Sequence, residues 1–203
     1  MTVEETHNRV VAVLFSDDVR ADSGRAFGRE LRAHVPDARV LYVDPRIAAG
    51  MSGDVLKAVD EAQTVVAAVY VVPTAGKVAG SPATGAPGGP PQGAMKNSVS
   101  LADATGELLQ QLLERAAEKT VVVAVGNPYL ASEFPAIQNY MCTFSNANVS
   151  EASAIKALFG EIAIRGHLPV TVPNVAQRGA GIERPLQVAS QEQEHAHPNP
   201  AVR

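Results

Sequence analysis

Short apolar runs alternate with amphipathic stretches along most of this chain. The runs "RVVAVLF" (9–15), "ARVLYVD" (38–44), "TVVAAVYVV" (64–72), "TVVVAV" (120–125) and "NYMCTFS" (139–145) are short and bounded by polar or turn residues. They predict five strands. Between them the apolar period lengthens to that of a helix. In "SGRAFGRELRAHV", which Asp22 and Ser23 are placed to cap, Phe27, Leu31 and Val35 recur at i, i+4 and i+8. A short helix is expected at "DVLKAVDEA" and a long one at 101–119, where Leu108, Leu109, Leu112 and Leu113 read as core. A last helix covers "VSEASAIKALFGE", with Ser150 as its N-cap and Gly160 near its end.

Strands alternating with helices connect through right-handed crossovers. The expected fold is therefore α/β, a three-layer α/β sandwich with a mostly parallel, doubly wound (flavodoxin-like) sheet of five to six strands. One domain is expected over residues 9–185, with polar tails at 1–8 and 186–203. Residues 74–98 interrupt it with a Gly/Pro-rich insertion, "GKVAGSPATGAPGGPPQGAMKNS" at its heart, expected to be a flexible surface loop. The insertion is not a phosphate cradle, because such a cradle needs successive backbone N–H groups leading into a helix, and Pro82, Pro87, Pro90 and Pro91 remove donors.

Composition narrows the function classes. Hydrophobic residues make up 46% and aromatics 4%. The core is therefore built from Val, Ala, Leu and Ile, as a buried parallel sheet requires. Net charge is −4 and basic residues do not cluster, which argues against a nucleic-acid partner. No apolar run is long enough to span a membrane, so no membrane partner is expected. The first residues, polar and acidic, carry no export signal. Compartment stays unassigned.

Candidate chemistry is sparse. Ser16-Asp17-Asp18 follows the first strand, at the rim where doubly wound sheets bind ligands. Paired acids there suit Mg²⁺ in receiver-type domains, but the third strand ends Val71-Val72-Pro73 without the further Asp such a site needs. "SDDVRADSG" is too acidic for a flavodoxin-type phosphate loop, and a solvated turn is the plainer reading. Cys142, the single cysteine, lies in an apolar strand and reads as a buried structural thiol. His7, His34, His167, His195 and His197 show no metal-site spacing, and no metal or cofactor is expected. No nucleophile elbow, Walker A or dinucleotide motif occurs. "RGAGIERP" (178–185) has no strand leading into it. From the residues alone, no catalytic group is assigned.

The second half carries a more specific pattern. "VVVAVGNPYLASEFP" is followed by "YMCTFSNANVSEASAIKALFGEIAIRGHLPVTVP" and then "GAGIERP". This order, over roughly Val121 to Pro185, resembles the C-terminal domain of glycoside hydrolase family 3, in the bacterial β-N-acetylhexosaminidase-like branch. "VVAVLFSDD" and "FGRELRAHVPDARVLYVDP" fit the same domain more loosely. The resemblance implies a parallel α/β sandwich packed against a (β/α)₈ barrel. In that branch the barrel supplies an Asp nucleophile and a His–Asp acid/base pair in a K-H-F-P-G-H-G-like loop. That loop does not occur in this sequence, and a barrel needs about 250 residues of its own. The β-glucosidase branch draws its acid/base Glu from this domain, but no matching motif assigns one here.

Two readings follow. In the first, the chain is a structural or substrate-rim module of a glycosidase acting on N-acetylglucosamine-containing glycans. Its partners are then a family 3 barrel, in cis or as a separate chain, and a carbohydrate, and Asp17, Asp18, Asn127 and Tyr129 form a ligand-binding or domain-docking rim. The second is an independent small-ligand or carbohydrate-binding α/β module. A small hydrolytic site at Asp17, Asp18 and Asn127 ranks third. Pro128 restrains Asn127 to extended or turn geometry, which suits a locked turn at a strand end.

Overall fold

A computed structural model describes residues 9–17, 23–71 and 101–186. Asp18, the Gly/Pro-rich insertion, residues 1–8 and the tail from residue 187 lie outside the described residues. Five parallel strands form one sheet: β1 (Val10–Ser16), β2 (Arg39–Val43), β3 (Thr64–Tyr70), β4 (Thr120–Val125) and β5 (Asn139–Thr143). Their order is β2-β1-β3-β4-β5. The helices are α1 (Arg25–His34), α2 (Ala48–Glu61), α3 (Asp103–Ala116), α4 (Leu130–Glu133) and α5 (Asn148–Leu158). The fold is thus a three-layer α/β sandwich, and every strand pairing is parallel.

The apolar strand runs are explained by burial on both faces. On one face Val11, Val13 and Phe15 join Val65, Ala67, Val69, Val122 and Ala124 beneath the apolar sides of α2 and α3. On the other, Ala12, Leu14, Val66, Ala68, Val123 and Val125 meet Phe27 and Leu31 of α1 and Ala154 and Ile155 of α5. The strand period of two divides these sets between the layers. Leu108, Leu109, Leu112 and Leu113 are core residues, as their spacing indicates.

Several local expectations change. The α2 helix starts at Ala48, well before "DVLKAVDEA", because a turn at Asp44 feeds directly into it: Ala48 N–H donates to the Asp44 carbonyl at 3.0 Å. Ser150 lies inside α5 rather than capping it. The N-cap is Ala147, whose own N–H donates to Ser145 Oγ at 3.1 Å. Helix α1 is not capped by Ser23. Its N-cap is Gly24, with φ +82°, and the acceptor for its free N–H groups comes from α5. Cys142 is half-buried on the edge strand β5 rather than fully enclosed, though burial still pushes its thiol pKa up.

Beyond α5 the chain forms an irregular arm over residues 160–186. Ile164 and Arg184 exchange two backbone hydrogen bonds at 2.9 Å, and Leu168 N–H donates to Ala180 O at 2.8 Å. "RGAGIERP" is thus the returning limb of this arm. A side chain at Gly181 would meet the Gly166 carbonyl at 2.6 Å, so the limbs approach as only glycine allows. Val172 is buried, and Ser132 of α4 donates to Pro173 O at 2.9 Å. These contacts fasten the arm beside the β4 turn.

Candidate functional site

In a sheet of this order the two sides of the fold diverge between β1 and β3, and ligands bind outside the carboxyl ends of such strands. Asp17 stands at that point. Its carboxylate accepts hydrogen bonds from Ala102 N–H at 3.0 Å and from the Thr105 hydroxyl at 3.1 Å. Ala102 is the N-cap of α3, so Asp17 closes the helix from a distance and ties β1 to α3. Burial pushes its pKa up, opposed by these two donors. Thr105 is fully buried, and its single hydroxyl proton is shared between Asp17 Oδ1 at 3.1 Å and the Ala102 carbonyl at 2.8 Å.

Asn127 and Tyr129 lie at the same end of the sheet, after β4. They do not adjoin Asp17, because β3 separates β1 from β4. Gly126, with φ +91°, ends the strand and donates to Thr143 O at 2.9 Å. Asn127 is buried, and its Oδ1 accepts the Tyr129 N–H at 3.0 Å. This is an Asx turn, the geometry Asn favours before a proline-bearing bend. The Tyr140 hydroxyl donates to Pro128 O at 2.8 Å and pins the turn from β5. Tyr129 is only partly buried, and its Cα lies within one turn of α4.

A further carboxylate escaped the reading of candidate residues. Glu151 of α5 is 2% exposed. Its Oε2 accepts the Phe27 N–H at 2.7 Å and its Oε1 accepts the Gly24 N–H at 3.3 Å. Glu151, Ala154, Ile155 and Leu158 share one helical face at i, i+3, i+4 and i+7; Ala154 and Ile155 are core residues and Leu158 packs against them. At the end of β2, Asp44 is held by Arg46 through its backbone N–H at 2.8 Å and its guanidinium at 3.0 Å. The Arg46 guanidinium draws the Asp44 pKa down.

Each of these rim carboxylates therefore has donors within the chain. Asp17 serves α3 and Glu151 serves α1, on opposite layers of the sheet. Glycoside hydrolysis most often uses two carboxyl groups on either side of one bond, roughly 5–10 Å apart. Among the described residues, no group of three or more His, Cys, Asp or Glu is arranged to hold a metal ion. No helix there is long and apolar enough to cross a membrane. A small open cavity, about 180 Å³, lies at the opposite end of the sheet, lined by Arg9, Asp37, Arg39 and Glu61 among others. It falls below the roughly 300 Å³ at which ligand pockets begin.

No protein-family model matches the sequence, and comparison with curated proteins finds no match. Solved structures are more informative. The chain is similar to part of a fungal multi-domain GH3 β-N-acetylglucosaminidase carrying a GCN5-related glucosamine N-acetyltransferase region, with a TM-score of 0.60 and 19% identity. That match covers 88% of this chain and 17% of the other. It is also similar to part of a glycoside hydrolase family 3 β-N-acetylglucosaminidase from Paenibacillus sp. str. FPU-7, with a TM-score of 0.56 and 14% identity. Here 79% of this chain and 27% of the other are covered. The chain spans about a sixth to a quarter of those enzymes, and at these identities what it shares with them is the fold of one region.

Proposed function

We propose that this chain is the α/β sandwich domain of a family 3 glycoside hydrolase of the β-N-acetylhexosaminidase-like kind. It serves as a structural or substrate-rim module beside a (β/α)₈ catalytic domain, in cis or as a separate chain. The observation that carries this reading is the match over 88% of the chain to a region of a much longer family 3 enzyme. The run from "VGNPY" through "GHLPVTVP" to "GAGIERP" supports it from the sequence. So does the arm those last residues build, which a bare doubly wound sheet does not require.

In this reading the domain contributes no catalytic pair. Asp17 is spent on α3 and Asn127 on its own turn, leaving Tyr129 as the rim side chain suited to a sugar face or a barrel surface. The test is hydrolysis of an aryl N-acetyl-β-glucosaminide by the isolated chain, and by the chain together with the barrel domain encoded in its own or an adjacent reading frame. No turnover is expected alone, and turnover is expected with the barrel. Activity of the isolated chain that survives repurification and disappears in Asp17→Asn would overturn the proposal.

A further inference from the structure

The α1 helix begins at the carboxyl end of β1, where an open helix terminus in this fold presents free N–H groups to an anion. Here those groups point at Glu151, 127 residues along the chain from Gly24. Both carboxylate oxygens are used, one on Gly24 N–H and one on Phe27 N–H. The contact at 2.7 Å is short, as expected when the acceptor is ionised.

A second group points to the same place. Tyr70, the last residue of β3, is 3% exposed, and its hydroxyl has no hydrogen-bond partner. Its ring lies against Gly24, with Cε2 3.3 Å from where a Gly24 side chain would begin. Burial, then the negative charge of Glu151 and the approach of the hydroxyl toward that carboxylate, outside good hydrogen-bond geometry, drive the phenol pKa far up, so it remains a protonated donor. A buried hydroxyl without a partner is costly unless something close holds it in place. The Glu151 charge is what lies close.

We propose that the start of α1 is a carboxylate-binding site that the chain fills with its own Glu151, and that a small free carboxylate occupies it when this side chain is removed. The ligand class is a planar monoanion. Gly24 and Phe27 N–H are its two direct donors, and the Tyr70 hydroxyl is a third within reach once the anion is free to adjust. Filling the site from within joins α5 to α1 across the layer they share. It also neutralises the helix terminus that a phosphate-bearing ligand would otherwise use.

The experiment compares thermal unfolding of the full chain and of Glu151→Ala in chloride, formate, acetate and phosphate at equal ionic strength. Glu151→Ala should unfold at lower temperature in chloride and regain stability saturably in formate, and less in acetate. At ten times its dissociation constant, formate should raise the folded-to-unfolded ratio about elevenfold. The unaltered chain and Glu151→Gln, whose site stays filled, should show no formate response beyond chloride. Adding Tyr70→Phe to Glu151→Ala should weaken the apparent formate affinity. If Glu151→Ala does not fold in chloride, its refolding in formate becomes the readout. An equal formate response in all three chains would overturn the proposal, as would a phosphate response exceeding that to formate. Failure of Glu151→Ala to fold in formate while Glu151→Gln folds would overturn it too.

Discussion

Replacing Gly24 with alanine perturbs a tight point at the start of α1. Gly24 has φ +82°, in the left-handed region, which costs an ordinary L-residue about 1–2 kcal/mol. Its new Cβ would lie 2.4 Å from Leu14 Cδ2, a core side chain 1% exposed that has nowhere to move. Overpacking of that kind costs about 1–3 kcal/mol. Loss of chain entropy in the unfolded state returns about 0.4–1 kcal/mol. The net cost is about 2–4 kcal/mol, a large share of the roughly 5–15 kcal/mol that holds a domain folded. Gly28, one turn later, supplies the control. An alanine Cβ there would meet the Tyr42 hydroxyl at 2.5 Å, the far end of an exposed side chain that can swing away, and Val40 Cγ1 at 3.3 Å, which has to give by only a few tenths of an ångström. Helix propensity favours that alanine by about 0.5–1 kcal/mol. Gly28→Ala should therefore stay within about 1 kcal/mol of the parent. Urea unfolding monitored by circular dichroism reads both. With a slope near 2 kcal/mol per molar, Gly24→Ala should lower the midpoint by about 1–2 M. Equal midpoints for the two variants would refute the reasoning, because the backbone at Gly24 would then carry no constraint.

Asn127→Ala should cost about 1–3 kcal/mol by leaving the Tyr129 N–H without its acceptor, and Tyr129→Ala should cost less. Calorimetric titration with N-acetylglucosamine and chitobiose alongside separates a locked turn from a ligand contact: a stable Asn127→Ala that lost measurable sugar binding would make the turn a site. His34 supplies a pH dependence. Its Nδ1–H donates to Glu30 O at 2.9 Å, its Nε2 meets Glu161 at 2.7 Å, and its ring stacks on Phe159 at 4.6 Å. Only the imidazolium donates to both acceptors, and the pKa is raised, first by the Glu30 carbonyl and then by Glu161. A raised folded pKa stabilises the fold fully below the unfolded value near 6.5, and the gain is lost as pH rises through the folded value. Stability measured from pH 6 to 8.5 should therefore fall with a slope that His34→Gln abolishes. An unchanged slope in that variant would contradict the assignment.

The fold class was legible in the amino-acid order because it rests on local pattern. Five apolar runs of strand length and helices of period 3.6 between them leave a parallel sheet as the only way to bury both faces. The leucines of α3 and the pairing of Phe27 with Leu31 followed from spacing alone. The Asn127 turn was legible in part, since proline restricts the residue before it whatever the surroundings. What sequence could not determine was who satisfies whom across the layers. Asp17 reads as a free acid at a ligand rim until β1 and α3 come together and its carboxylate closes the α3 terminus. Glu151 reads as one acid among several on α5 until the sheet order sets α5 beside α1. The starts of α1 and α3 both needed an acceptor; local sequence offered Ser23 for α1 and none for α3. The chain met the need at α1 with a carboxylate 127 residues away, and at α3 with one 85 residues away. Hydrogen-bond donors at a helix end must be satisfied, but nothing in the local chemistry says from where; only packing decides that.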